Sequence, residues 1–306
     1  MKTKITGLMA LILCLLSSCS GAVPAVVPTS TTAAADQLME SSVESVWSIT
    51  GDPNPFKIPD GIAIDRQGNL YVMDSLNDRV QKFDNDGMFI SMWGSSGDQD
   101  GQFHCGNYCM LAVDNKSNVY VTDIGNSRVQ KFDSNGKFLT KWGASGEGDG
   151  QFSHPFGIAV DQQGSVYISD VGNTRIQVFD DNGKFLAKWG TPGYEPGQFS
   201  SDLADLAVDS KGNIFVSDRS NGLSKFDSSK QFLAELEDCG DDKPIRSATG
   251  MAVDAQDNLY VFDLSNSRVC KFDSSGKHLS QWDGSGSAEG AFTLGGGIAV
   301  DQQANV

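Results

Sequence analysis

Gly157 to Gly190 reads GIAVDQQGSVYISDVGNTRIQVFDDNGKFLAKWG, and this text recurs along the chain. Gly61 to Gly94 reads GIAIDRQGNLYVMDSLNDRVQKFDNDGMFISMWG, and Met110 to Gly143 reads MLAVDNKSNVYVTDIGNSRVQKFDSNGKFLTKWG. A fourth copy starts at Asp205, a fifth at Gly250, and a sixth at Gly297 as GIAVDQQANV. One aspartate marks each copy: Asp65, Asp114, Asp161, Asp209, Asp254 and Asp301. Their spacings of 49, 47, 48, 45 and 47 residues are those of a repeat architecture, in which each unit buries its faces against its neighbours.

Each unit reads as four strands. In the first copy these are the short apolar run Ile62-Ala63-Ile64, an alternating stretch around Leu70-Tyr71-Val72, then Arg79 to Phe83, then Met88 to Trp93. Asp65-Arg66-Gln67-Gly68-Asn69 and Asp84-Asn85-Asp86-Gly87 separate them as hairpin turns. Asp and Asn hydrogen-bond their own backbone, and Gly accepts positive φ. No stretch of useful length shows a helical apolar period. Four antiparallel strands in such a unit describe a β-propeller blade.

The repeat text resembles the NHL family of six-bladed β-propellers. The resemblance rests on the G-x-A-V-D start, the N-L-Y-V-x-D middle and the N-x-R-V-Q-K-F end of each copy. It covers residues 46–306. It implies an all-β, six-bladed propeller of four-stranded antiparallel blades with the sixth blade truncated. In the family an N-terminal strand often completes the last blade, and residues 44–51 (ESVWSITG) are the candidate for it. On the repeat spacing, that last blade is expected to be short by roughly 15–25 residues. The fourth copy departs from the pattern: Asp218 to Phe226 is one residue shorter and lacks the arginine, so an irregular turn is expected there.

Residues 1–18 read as a lipoprotein signal peptide. Two lysines precede an apolar run from Ile5 to Leu16, which is too short to span a bilayer. Leu16-Ser17-Ser18-Cys19 resembles the bacterial lipobox, which implies cleavage before Cys19 and lipidation of that residue. Residues 19–45 then form a tether, with an uncharged Ser/Thr/Ala/Pro stretch from Ser20 to Ala35. Residues 46–306 are the propeller, C-terminally incomplete. The expected location is an exported, membrane-anchored lipoprotein facing the periplasm or cell surface, touching the membrane through its N-terminal lipid alone.

With 23 basic and 39 acidic residues, the formal charge is 23 − 39 = −16. That field repels polyanions, so nucleic acid is excluded as a partner class. A monomer is expected. Beyond Cys14 in the signal and Cys19, four cysteines remain, which allow three pairings. The local pair Cys105–Cys109 comes first. Cys239 then pairs with Cys270, or both stay free. The CxxxC spacing of the local pair also fits a zinc half-site, but its second half is missing.

Two sets of polar residues compete for a functional role. The first recurs between the second and third strands: Asp74, Asn77 and Arg79; Asp123, Asn126 and Arg128; Asp170, Asn173 and Arg175; Asp263, Asn266 and Arg268. Such a ring is able to present ligands or hold cations. Its repetition favours a structural role instead, with Asp and Asn capping the turn and Arg pairing with a neighbouring blade. The second set lies on the loops that enter each blade and vary between copies: Asp60, His104, Tyr108, His154, Asp202, Asp205 and Arg246. Variable loops on a rigid ring are where ligands bind. His104 and His154 occupy near-equivalent places, and a metal there would need Asp202, Asp205 or a cysteine; ordinary hydrogen bonding is favoured. No GxSxG elbow, phosphate loop, HExxH or EF-hand loop occurs. No catalytic residue, metal or cofactor is therefore assigned. The function expected is an exported, surface-tethered recognition scaffold that binds a protein, peptide or glycan at one propeller mouth. The alternative, on the family resemblance, is a propeller enzyme of the lyase or lactonase kind with a metal site at the channel mouth.

Overall fold

The computed structural model describes Ile49 and residues 54–106, 108–236, 239–241, 243–245, 247–284 and 296–306. The signal peptide, Cys19, the tether, Arg246 and, apart from Ile49, the candidate closing strand at 44–51 lie outside the described residues.

Five four-stranded antiparallel sheets follow one another in the described residues, each in simple sequential order. Blade one comprises Pro59–Ile64, Leu70–Asp74, Arg79–Phe83 and Phe89–Trp93. Blade two comprises Leu111–Val113, Val119–Asp123, Arg128–Phe132 and Phe138–Trp142. Blade three comprises Pro155–Val160, Val166–Asp170, Arg175–Phe179 and Phe185–Trp189. Blade four comprises Leu203–Val208, Ile214–Asp218, Gly222–Phe226 and Phe232–Leu236. Blade five comprises Ala248–Val253, Leu259–Asp263, Arg268–Phe272 and His278–Asp283. First strands of successive blades pack side by side, which places them innermost.

The described residues thus form a five-bladed propeller, and the expectation of six blades is overturned. The sixth copy does fold its turn: the Asp301 carboxylate accepts the N–H groups of Gln303 and Asn305, both at 2.8 Å. It forms no strand. Among the described residues, 297–306 find no strand to form a ladder with. Instead the segment wedges between its neighbours. A Cβ on Gly250 of blade five would lie 2.9 Å from the Ile298 N, and one on Gly297 would lie 2.6 Å from the Asp60 O of blade one. Val306, Ile298 and Val300 pack on Tyr260, Phe262 and Val269 of blade five.

The repeated text forms these elements for local reasons. Each marker aspartate organises the first hairpin. Asp65 Oδ1 accepts the Gln67 and Asn69 N–H groups, each at 2.9 Å, and Oδ2 accepts the Tyr71 hydroxyl at 2.9 Å. Second strands are buried at every position, whereas the fourth strands of blades one to three alternate between half-buried and exposed, as an outer edge facing water requires. In blade four the shortened turn drops the 3-10 turn found in the other blades, yet Asp218 still pairs with Gly222 as Asp74 pairs with Arg79. The irregularity is confined to the turn.

Aromatic rings set the spacing between blades. Trp93 lies 6.2 Å from Tyr71 in its own blade and 6.0 Å from Phe132 in the next. Trp142 repeats this with Phe179 at 5.8 Å, and Trp189 with Phe226 at 6.2 Å. Gly136, in blade two, faces Trp93 at φ +81°, and a Cβ there would lie 2.5 Å from the indole. Gly101 has φ +80° with open space around it. Gly101→Ala is therefore expected to cost about 1 kcal/mol, from backbone strain alone. Gly136→Ala should cost about 1–3 kcal/mol more, because the indole must move. Chemical denaturation of the two variants checks this, and equal losses would contradict it.

Candidate functional site

The loops entering the blades and the turns between second and third strands are hydrogen-bonded to each other at one end of the ring. Gly125 N donates to His104 O at 2.9 Å, Gly172 N to Ser153 O at 2.8 Å, and Arg219 N to Asp202 O at 3.1 Å. This end carries the candidate residues.

The repeated polar set is consumed in holding that end together. In blade two the buried Asp123 accepts Asn126 Nδ2 at 2.9 Å, Arg128 Nε at 2.7 Å and the His104 N–H at 2.8 Å. Arg128 spends its remaining donors on the carbonyls of Asp98, Gln99 and Gln102 in the connecting loop. Blade three repeats this with Asp170, Asn173 and Arg175 on the carbonyls of Glu147, Gly148 and Gln151. Blade one uses Asp74, Asn77 and Arg79, the last reaching the Asn54 and Pro55 carbonyls. Blade five uses Asp263, Asn266 and Arg268, which reaches Asp241 and the Lys243 carbonyl. Arginine therefore clamps the loop that leads into its own blade.

Two contributors to this clamp escaped the sequence reading. Gln81, Gln130 and Gln177 also donate to the same aspartates and loop carbonyls. The clamped loops share a Gly-Gln-Phe triplet at 101–103, 150–152 and 197–199, whose phenylalanines are buried. Both signals were present as repeated text.

The variable residues divide into two groups. His104, Tyr108, His154 and Asp202 are exposed. Asp202 accepts the Ser220 hydroxyl at 2.7 Å, and His154 Nδ1 lies 3.4 Å from the Ser153 hydroxyl. Tyr108 sits on a loop closed by a Cys105–Cys109 disulfide. That loop is pinned to blade one: Cys105 N donates to Asp78 at 2.9 Å and Cys109 N to the Ser75 hydroxyl at 3.2 Å. The Tyr108 ring meets Phe156 of the next entry loop edge-on, at 6.3 Å. Cys239, after blade four, is bonded to Cys270 on the third strand of blade five, where blades one to three carry the clamping glutamine.

Asp60 and Asp205 are not on the open loop surface. Asp205 stands on an inner strand where Gly61, Gly157 and Gly250 stand in other blades, and it is 4% exposed. It accepts the Met251 N–H of blade five at 2.9 Å and so lies in the seam between blades. Burial pushes its carboxyl up to about 7, against hydrogen bonds from the backbone of Leu206 and Met251. Asp60 is half-buried at the blade-one seam, and its Oδ2 has no protein partner. Burial pushes it up to about 7 as well, opposed by the Ser75 hydroxyl. Among the described residues no group of three or more His, Cys, Asp or Glu side chains is placed to hold a metal ion.

Comparison with known proteins agrees with this architecture. Residues 152–179 match the NHL repeat. No curated protein matches significantly in sequence. Among solved structures, the chain is similar to virginiamycin B lyase from Staphylococcus aureus at 13% identity and a TM-score of 0.53, covering 74% of this chain and 69% of that one. A streptogramin B lyase aligns at 15% identity and TM-score 0.54, covering 75% and 70% of the two chains. A chain of the nidogen–laminin complex aligns at 16% identity and TM-score 0.54, covering 75% and 81%.

The two raised carboxyls make stability depend on pH. A native pKa near 7 against 3.8 in the unfolded chain means that the native state holds more protons between those values. Stability contributed by neutral Asp205 is thus present below about pH 4 and is lost as pH rises through about 7. Asp205→Asn keeps an acceptor for Met251 and removes the charge. The expected result is a variant whose melting temperature gains on the wild type as pH rises from about 4 to 7. A constant difference across that range would contradict the assignment.

Proposed function

We propose that this protein is an exported recognition scaffold that holds a protein, peptide or glycan at the loop-bearing mouth of its propeller. The observation that carries the reading is Tyr108. It is 52% exposed, yet it is held on a disulfide-closed loop that is hydrogen-bonded to blade one and braced by Phe156 of blade three. A rigid exposed tyrosine binds with little loss of side-chain entropy, and such residues dominate recognition surfaces. His104, four residues before Tyr108, and His154, two residues before Phe156, are exposed on the two loops concerned and would supply polar contacts. A lipid on Cys19, with the tether behind it, belongs to the same proposal: it would display this mouth at a membrane surface.

Glycan and peptide arrays probed with the purified protein test the reading. Tyr108→Ala is expected to abolish the array signal while leaving the melting temperature nearly unchanged, since exposed loop substitutions cost within about 0.5 kcal/mol. Undiminished binding would overturn it. The second reading, a propeller lyase, is favoured by the structural likeness to streptogramin B lyases, which reaches the fold alone. Lyase turnover of a streptogramin B by the wild-type protein would replace the first reading with the second.

A further inference from the structure

The outer strands of blades two to five carry charge at their exposed alternate positions, and that of blade one does not. Blade two presents Lys137, Leu139 and Lys141 at alternate positions, and blade three presents Lys184, Leu186 and Lys188. Blade four has Gln231, Leu233 and Glu235, and blade five has Lys277, Leu279 and Gln281. Charge on an outer strand keeps its unpaired backbone from templating another chain. Lys141 and Lys188 are held there by ion pairs to Asp100 and Asp149, each at 2.6 Å. Blade one carries no charge at these positions. It presents Met88, Ile90 and Met92, which are 67%, 48% and 45% exposed. The outer edge of this strand, Phe89–Trp93, pairs with nothing among the described residues.

The stripe is also its own mirror. Met88-Phe89-Ile90-Ser91-Met92 reads apolar at both ends and at its centre. An antiparallel pairing with a second copy about a two-fold axis at Ile90 sets Ile90 against Ile90 and each Met92 against Met88. A two-fold contact must be self-complementary in this way. The same register in blade two would set Lys137 against Lys141, and in blade three Lys184 against Lys188. Like charges directly opposite are destabilising.

Charge at the ends of the stripe favours the antiparallel arrangement. Asp86 is exposed just before Met88. Arg79 Nη1 lies 3.5 Å from Met92 Sδ at the other end. Arg79 neighbours the strand position next to Gly94, since Val80 pairs with Trp93. In the two-fold register Asp86 of one copy falls opposite Gly94 of the other, within reach of that arginine. Each end of the seam then brings an exposed acid toward Nη1, the one Arg79 nitrogen that the clamp leaves without an oxygen partner among the described residues. A −16 chain that repels itself elsewhere has at this edge an uncharged seam with complementary ends.

We infer that the outer strand of blade one is a homodimer interface, in which two copies join their sheets edge to edge through Met88, Ile90 and Met92. Sedimentation of the purified full chain over a concentration series tests this, together with variants at exposed positions that leave the fold intact. The wild type is expected to dimerise with concentration, more tightly as salt screens the net charge. Ile90→Lys, which sets lysine against lysine on the axis, should abolish the dimer. Under oxidation Ile90→Cys should form a covalent dimer, whereas Leu139→Cys at the matching place in blade two should not. A chain that is monomeric at every concentration overturns the inference, whether the stripe is bare, covered by residues 1–48, or taken by another protein. A dimer that survives Ile90→Lys, or crosslinking that is equal at the two cysteines, overturns it too.

Discussion

A buried aspartate at the end of each second strand is the constraint on which the ring depends. Asp74, Asp123, Asp170 and Asp263 are fully buried, and an isolated carboxylate there would be prohibitively costly. Each is made tolerable by charge-assisted bonds from Asn and Arg, joined by Gln in three blades. Because the arginine is planar and forked, its other nitrogens reach several loop carbonyls at once. One buried charge thereby orders a turn, a strand end and the connection between two blades. Breaking such a pair costs about 3–5 kcal/mol, since the remaining charge is stranded.

Blade four shows what the constraint demands when the arginine is absent. Gly222 stands in its place, and Asp218 instead takes the Ser200 hydroxyl and N–H, each at 2.6 Å, plus the N–H groups of Ser220 and Asn221 at 2.9 and 3.0 Å. Asn221 assumes the loop-holding role, donating to the Gly193 and Gln198 carbonyls. Blade five varies it differently: a disulfide to Cys239 stands in for the glutamine. With the loops fixed by repeated residues, the variable ones are free to differ. That division of labour leaves Tyr108, His104, His154 and Asp202 exposed on a firm base.

The strand order and the hairpin turns were legible because the aspartate turn and the apolar alternation act locally. The blade number was not. Six came from the family resemblance and from the Gly297 text, but a strand exists through its partners, and residues 297–306 meet other blades rather than a hairpin mate. Asp205 misled for a related reason. Its substitution at a glycine position looked like loop variation, whereas that position faces the next blade's backbone, so the carboxyl is buried in a seam. The expected arginine partner in a neighbouring blade proved to be carbonyl oxygens of the connecting loop, which carry no side-chain signature.

The central claim, that the buried aspartate and its arginine hold the connecting loops, is tested most directly by native-state hydrogen exchange of Arg128→Leu. This variant strands Asp123 and releases the carbonyls of Asp98, Gln99 and Gln102. Protection should collapse at the amides of Gly101 and His104, which donate to Gln130 and Asp123, while the strands of blade five keep theirs. Unchanged protection at Gly101 and His104 would contradict the account.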